Sequence, residues 1–290
     1  MYDCVYAILD GLSELPSLEE LNLNWQLASP AASWTIEEFF PLRRFPRIKS
    51  IKIMGKLPAA LAEDFVRQLR KLGTSGGLHA LKSLQLDFPP RRETVHSVLH
   101  TILQGVPAGE KLILRELWVN GWTLQLDSVT LPHLRHLSSL HISNMQDQGL
   151  DTQRYLWNSM ERARICLREI SVKDISPPFL DYLSSYRGLE TLTISEQSSQ
   201  QNFHGGDAKV AHTFCRRLYY DVLPLHKDSL KKFHIDDQMD IRKHITADYA
   251  AMLQSCSMLE SVKVTFDRLE LDSEDNNLVC ECFPSRIRKD

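Results

Sequence analysis

The sequence predicts an α/β fold in which short parallel strands alternate with helices in a stack of repeats. A six-residue phrase, L-x-x-L-x-L or a close variant, recurs nine times along the 290-residue chain. The fourth and sixth residues of each phrase are apolar, so they lie on one face of a strand. Most intervals between phrases are long enough for a helix, which parallel strands need in order to return to the same end of a sheet.

The nine phrases place the strands in chain order. They begin at Leu18, Ile48, Leu81, Leu114, Leu137, Leu167, Leu189, Leu230 and Leu259. The corresponding strands are predicted near 20–24, 50–54, 83–87, 116–120, 139–143, 169–173, 191–195, 232–236 and 261–265. One repeat cannot bury its own apolar side chains, but stacked repeats can bury them together. We therefore predict a single solenoid over residues 1–270 and a tail or improvised cap over 271–290.

The intervals predict the helices. Thr35, with a glutamate three residues later, is typical of a helix start, and Pro58 opens an interval with apolar residues at steps of three and four. Later helices are predicted at 94–103, 152–164, 178–186, 208–223 and 246–256. Residues 124–134 are too few for a full helix, so extended chain with a tight turn at Pro132 is expected. The aromatic residues of the helices, among them Tyr155 and Trp157, are expected in the core.

The polar insertion at 195–207 has no periodicity and is interpreted as a loop, with a lid over one rim as the functional alternative.

Composition favours an intracellular protein. The net charge of -3 shows no basic excess of the kind that nucleic-acid binders usually carry. Six scattered cysteines indicate reduced thiols rather than a disulfide framework. No apolar run reaches the roughly 18 residues of a membrane helix, and the start of the chain lacks the basic segment of a signal peptide. A cytoplasmic or nuclear location is therefore expected.

Motifs typical of catalysis are not found. The glycines of 73–77 follow a predicted helix and lack the Gly-Lys-Ser/Thr of a phosphate loop. His96 and His100 are four residues apart, but two histidines supply only half a zinc shell. The pair His212 and Cys215 is an equally weak indication of a metal site. The Cys-x-Cys pair at 280–282 has no second pair at zinc-finger spacing. We expect no enzymatic activity, no cofactor and no metal site.

The nine phrases resemble leucine-rich repeats of the ribonuclease-inhibitor-like type. The long, variable intervals and the segment Leu-Pro-His-Leu-Arg-His-Leu at 131–137 resemble F-box/leucine-rich-repeat proteins of fungi. The resemblance covers about residues 1–270 and implies a curved parallel sheet on the concave face, with helices and irregular crossovers on the convex face. In that family an F-box joins a cullin–RING ubiquitin ligase, and the repeats bind the substrate. No F-box is recognised before Leu18, so cullin–RING components are expected as partners only with an F-box upstream or in trans.

The outward positions of the strands predict a surface for a protein partner. The candidate binding residues are Trp118, Gln85, Asn120, His141, Glu116 and Lys173. Trp118 is the only large aromatic residue at these positions, and tryptophan is enriched among the residues that dominate binding energy. The alternative is that a neighbouring loop, such as the turn at Trp122, covers it.

Two functions remain after these observations. The first is a non-catalytic protein–protein interaction module, which the resemblance narrows to the substrate-recognition part of an F-box-type ubiquitin-ligase adaptor. The alternative is a nucleic-acid-associated repeat protein that uses a basic patch around 43–56. That patch comprises Arg43, Arg44, Arg47, Lys49, Lys52 and Lys56. Ordinary solvation of a charged surface explains the patch more simply.

Overall fold

The computed structural model describes residues 11, 15, 18–25, 42, 47–55, 59–87, 97–121, 124–143, 149–173, 175–195, 208–236 and 247–264. These residues form an α/β structure of parallel strands and helices, which confirms the predicted fold class at that level. The chain divides into two compact units. Unit 1 is Met1–Met145 with Arg162–Ile165, and unit 2 is Gln146–Glu161 with Cys166–Asp290.

Unit 1 contains a sheet of five described strands. They are β1 (Glu20–Trp25), β2 (Ser50–Gly55), β3 (Ser83–Asp87), β4 (Glu116–Asn120) and β5 (Ser139–Ser143). Each strand pairs in parallel with its neighbours in the sequence. Equivalent phrase positions stand side by side, so Leu84 pairs with Leu117, and Gln85 pairs with Trp118. The repeat in the sequence thereby becomes columns of equivalent side chains across the sheet.

One face of this sheet forms the core of unit 1. In β2 the side chains of Ile51 and Ile53 are buried while their neighbours in the strand are partly exposed. The alternation follows from the period of two residues along a strand. Burying one such side chain fully contributes roughly 1.5–3 kcal/mol, so each repeat adds a similar increment to the stability of the unit.

Three helices among the described residues of unit 1 lie in the intervals. α1 spans Ala59–Thr74, α2 spans Val98–Leu103 and α3 spans Leu131–Leu134. Ser97 caps α2, because its side chain accepts a hydrogen bond from the backbone N–H of His100 at 3.3 Å. The chain after α2 approaches the end of α1 closely. A Cβ atom on Gly105 would lie 2.2 Å from the carbonyl oxygen of Arg70, so the approach requires glycine.

The interval before β5 differs from the expected extended return. A turn begins at Asp127, whose side chain accepts the N–H groups of Val129 at 2.9 Å and Thr130 at 3.0 Å. The hydroxyl of Thr130 accepts the N–H of Asp127 at 2.8 Å. α3 follows at once, with Pro132 in its first turn, where the missing N–H costs nothing. The expected tight turn at Pro132 is thus wrong, because the side chain of Asp127 makes the turn earlier.

Unit 2 contains a sheet of four described strands. They are β6 (Glu169–Val172), β7 (Thr191–Ser195), β8 (Lys232–Asp236) and β9 (Ser261–Val264), again parallel and in chain order. Its helices are α4 (Gly149–Arg162, whose last residue falls in unit 1), α5 (Pro177–Ser184), α6 (Ala208–Arg217), α7 (Leu223–His226) and α8 (Ala247–Gln254).

The helix predicted over 208–223 is interrupted. Leu218–Val222 forms a π-helical turn between α6 and α7, and the N–H of Leu223 reaches back to the carbonyl of Leu218. Pro224 explains the change, because proline has no N–H and its ring clashes with the carbonyl four residues earlier. The wider turn moves the backbone away from that clash.

Aromatic side chains fill much of the interior of unit 2. Trp157 packs against Phe179 at 4.8 Å and against Tyr182 at 5.3 Å between ring centroids. The prediction of core aromatics is confirmed for these three residues. It is wrong for Tyr155, which is 49% exposed on α4. Tyr155 lies two residues before Trp157, and that step turns it away from the buried stripe of the helix.

A backbone motif repeats at the start of the strands within each unit. The carbonyl oxygen of Glu19, at the second phrase position, accepts the N–H groups of Lys49 at 2.7 Å and Ser50 at 3.0 Å. The same two-donor arrangement recurs with the carbonyls of Lys49, Lys82, Arg115, Arg168, Glu190 and Lys231 as acceptors. Because only main-chain atoms take part, the register from repeat to repeat does not depend on the side chain at this position.

Several predictions fall outside the described residues. They concern Thr35, His96, Trp122, Arg43, Arg44, Lys56, the insertion from 196 to 207, the cysteine pair at 280–282 and the tail 271–290. Over the part of the chain that the structure describes, no helix combines the length and the apolar character needed to cross a membrane.

Candidate functional site

Five of the six predicted binding residues lie together on the outward side of β3, β4 and β5. The outward side chains form three rows across these strands: Ser83, Glu116 and Ser139; Gln85, Trp118 and His141; Asp87, Asn120 and Ser143. These nine residues are termed the open face. The sixth predicted residue, Lys173, follows β6 in unit 2 and is partly buried.

Trp118 and His141 form the centre of the open face. Their rings stack with centroids 4.4 Å apart and an angle of 15° between the planes. The Nε2 atom of His141 lies 3.0 Å from the hydroxyl of Ser139, and this contact fixes the orientation of the imidazole. The indole of Trp118 remains partly exposed. The pair therefore presents a rigid aromatic surface, which loses little conformational entropy when a partner covers it.

Gln85 lies beside Trp118 in the middle row. Its side chain is only 8% exposed, because Lys52 on one side and Trp118 on the other flank it in the sheet register. This burial leaves Trp118 as the more accessible of the two side chains.

Carboxylates occupy the rows on either side. The hydroxyl of Ser83 donates to Oε2 of Glu116 at 2.8 Å, and the amide of Asn120 donates to Oδ1 of Asp87 at 2.6 Å. Each of these bonds orients a carboxylate and uses one of its two oxygens. Asn120 thus contributes to the open face by orienting the carboxylate of Asp87.

The outward positions of β1 to β5 carry a surplus of negative charge. At the outward positions of these strands the acidic residues are Glu20, Asp87 and Glu116, and the only lysine or arginine is Lys52. Acidic side chains on a sheet face favour a cationic partner and speed its association.

A histidine–aspartate pair in unit 1 resembles part of a catalytic constellation. The Nδ1–H of His100 donates to Oδ2 of Asp127 at 2.5 Å, and Nε2 lies 2.5 Å from the side-chain nitrogen of Gln104. The hydroxyl of Ser97 accepts backbone N–H groups of His100 and Gln125, both at 3.3 Å, and makes no bond to the imidazole. The cluster ties α2 to the following turn and has no activated nucleophile.

The carboxyl of Asp127 confirms this structural role. Partial burial acts to raise its pKa, but hydrogen bonds from the N–H groups of Thr130 and Val129 and from His100 lower it below its ordinary value. A carboxylate held ionised in this way stabilises the turn.

Other candidate chemistry in the described residues is equally structural. Burial raises the pKa of the Cys215 thiol to about 11, so it stays protonated and unreactive at neutral pH. Across the described ranges no three His, Cys, Asp or Glu side chains converge as a metal site would require. Glu190 carries the clearest ion cluster: Lys231 donates to it at 2.9 Å and Arg168 at 2.5 Å. These two cations lower the pKa of Glu190.

Two buried histidines were not predicted from the sequence. His133 and His226 each lie four residues before a phrase, at 137 and at 230. The Nδ1 atom of His133 accepts the N–H of Leu112 at 3.1 Å, and that of His226 accepts the N–H of Leu189 at 3.3 Å. In each case the histidine bonds the backbone of the preceding repeat. Their shared offset from the phrase was visible in the sequence, but their burial was not.

Neither a scan against protein-family models nor a search of curated proteins found a match for this chain. The relation to leucine-rich-repeat and F-box proteins therefore stays a prediction, and the geometry of the open face carries the functional argument.

Proposed function

We propose that this chain is a non-catalytic protein–protein interaction module, and that the open face binds its partner. The observation that supports the proposal most directly is the middle row. There, the stacked Trp118–His141 pair leaves the indole partly exposed, between the rows that hold the oriented carboxylates of Glu116 and Asp87. Tryptophan is enriched among the residues that dominate binding energy at interfaces.

The proposal extends to the architecture. We propose a leucine-rich-repeat solenoid over residues 1–270. The side-by-side register of equivalent phrase positions within each unit supports it, as does the repeated main-chain motif at the second phrase position. Repeat proteins of this kind use an extended sheet face for binding.

The narrower role of substrate recognition in an F-box-type ubiquitin-ligase adaptor stays a prediction from the resemblance. The nucleic-acid alternative also stays a prediction. Of its basic patch, Lys49 pairs with Glu19 at 2.5 Å, and Lys52 stands beside Gln85 in the sheet register. Both contacts are those of an ordinary protein surface, so the interaction module is the stronger proposal.

The test compares two aromatic substitutions. Proteins captured from the native cells by the wild-type chain would be identified, purified and titrated calorimetrically against wild type, Trp118→Ala and Tyr155→Ala. Tyr155 is the matched control, since it is an exposed aromatic residue on a helix. Loss of a central tryptophan should weaken binding by about 2 kcal/mol or more, roughly thirtyfold, whereas Tyr155→Ala should bind like wild type.

Equal affinities for all three proteins, with folding verified by circular dichroism, would remove the open face as the binding surface.

A further inference from the structure

The three rows of the open face have the spacing of an extended peptide. Glu116 on β4 lies in the first row, and Asp87 on the neighbouring strand β3 lies in the third row. The middle row therefore lies between the two carboxylates. Outward positions on one strand are two residues apart, so the first and third rows are separated by about 13 Å. Residues i and i+4 of an extended chain span about the same distance and share one face with residue i+2.

The chemistry of the outer rows favours arginine at positions i and i+4. Ser83 and Asn120 each occupy one oxygen of a carboxylate and hold it in a fixed orientation. A guanidinium is planar and presents a fork of donors that matches an oriented carboxylate, whereas the ammonium of lysine is a strongly hydrated point charge. The surplus of acids at the outward positions of β1 to β5 adds long-range attraction for such a segment.

The middle row favours an apolar side chain at position i+2. A residue placed there would lie over Trp118 and exclude water from the indole. The middle row thus supplies an apolar contact between two sites for positive charge.

We propose that the open face binds an extended segment of a protein partner with the pattern Arg-x-Φ-x-Arg, in which Φ is an apolar residue. The proposal rests on the proposed function and names the chemistry of the partner. It follows from the separation of Glu116 and Asp87, the fixed orientation of their carboxylates and the exposed part of Trp118.

The binding test uses synthetic peptides of defined sequence. The probe is acetyl-Ser-Arg-Ser-Leu-Ser-Arg-Ser-amide, titrated into the ¹⁵N-labelled full chain, with the indole signal of Trp118 assigned by comparison with Trp118→Phe. One control replaces both arginines by citrulline, the neutral isostere. A second places the arginines three residues apart, so that they point to opposite faces.

Saturable movement of the Trp118 signal is expected with the probe, and about tenfold weaker binding with each control. An unmoved signal, or equal binding of the citrulline peptide, would overturn the proposal.

Substitutions on the protein provide the second arm. Glu116→Gln and Asp87→Asn should each weaken binding of the probe about tenfold, the loss of one charge-assisted hydrogen bond. Glu169→Gln is the matched control, because Glu169 holds the same phrase position as Glu116 but lies on β6 in unit 2. Unchanged probe affinity in both acid variants would contradict the assigned contacts.

The two proposals can fail separately. If a natural partner loses affinity with Trp118→Ala but is indifferent to Glu116→Gln and Asp87→Asn, the open face is the binding surface and the arginine pattern is wrong. If Trp118→Ala has no effect on the partner, both proposals are wrong.

Discussion

Replacement of His226 by leucine tests whether a buried imidazole joins neighbouring repeats. His226 is fully buried. Its Nδ1 accepts the N–H of Leu189 at 3.3 Å, and its Nε2–H donates to the carbonyl of Leu183 at 3.1 Å. His226→Leu leaves both backbone groups buried without that partner, at about 1–3 kcal/mol each, offset by about 1 kcal/mol of added apolar burial. The free energy of unfolding of unit 2 should therefore fall by about 1–5 kcal/mol.

Urea unfolding followed by tryptophan fluorescence would measure the loss, and hydrogen exchange would localise it to the amide of Leu189. His136→Leu is the control, because His136 is exposed and lies just before a phrase. A loss below about 0.5 kcal/mol, the usual range of surface substitutions, or unchanged protection of the Leu189 amide, would refute the role assigned to His226.

The same contact predicts a dependence on pH. Burial lowers the pKa of His226 below its ordinary 6.5, with the hydrogen bond to Leu183 opposing. The unfolded chain therefore binds the proton more readily, so this contribution is complete above about pH 6.5 and is lost as the pH falls toward the folded-state pKa. Between pH 7.5 and 5.5 the wild type should lose more stability than His226→Leu. If the free energies of unfolding of the two proteins fell in parallel with pH, His226 would not be the titrating group.

Three further outcomes are expected. Leu192→Asp should cost more than about 4 kcal/mol, because an isolated carboxylate enters the core, whereas Thr193→Asp on the opposite face of β7 should cost less than about 1 kcal/mol; equal melting temperatures would contradict the strand register. Gly105→Ala should cost about 1–3 kcal/mol by thermal unfolding, since its Cβ would lie 2.2 Å from the carbonyl of Arg70; a neutral result would show that α1 and the chain after α2 can separate freely. Glu190→Gln should cost about 1 kcal/mol or less, because its pKa is lowered by two exposed or half-exposed cations. That difference from wild type should shrink at 1 M salt, and it should be lost as the pH falls from the ordinary carboxyl pKa of 4.5 through the lowered pKa of the folded state; a salt-independent loss would point to packing instead.

The positions of the strands followed from local pattern. Each described strand begins at the third position of a phrase, and the observed ends differ from the predicted ends by at most one residue. Elements that depend on side-chain hydrogen bonds or on proline were harder to predict. The structure has a turn made by Asp127 where a turn at Pro132 was predicted, and a π-helical turn before Pro224 where a continuous helix was predicted. Each results from a contact that the spacing of hydrophobic residues does not indicate.

The open face was predictable only in part. Alternation along each strand placed Gln85, Trp118 and His141 on one side of the sheet, and the register of equivalent phrase positions made them neighbours. The burial of Gln85 and the stacking of Trp118 on His141 could not be read from the strands one at a time. Both depend on side chains from other repeats, more than 20 residues away in the chain.

The amino-acid sequence by itself determined which residues form strands and which of their side chains point inward, because backbone geometry gives every strand the same period of two. Only the tertiary structure decided which polar groups lose water and which find partners. Strands about 4.8 Å apart bring side chains from separate repeats into contact. This lateral packing buries Gln85 beside Trp118 and gives His226 two backbone partners.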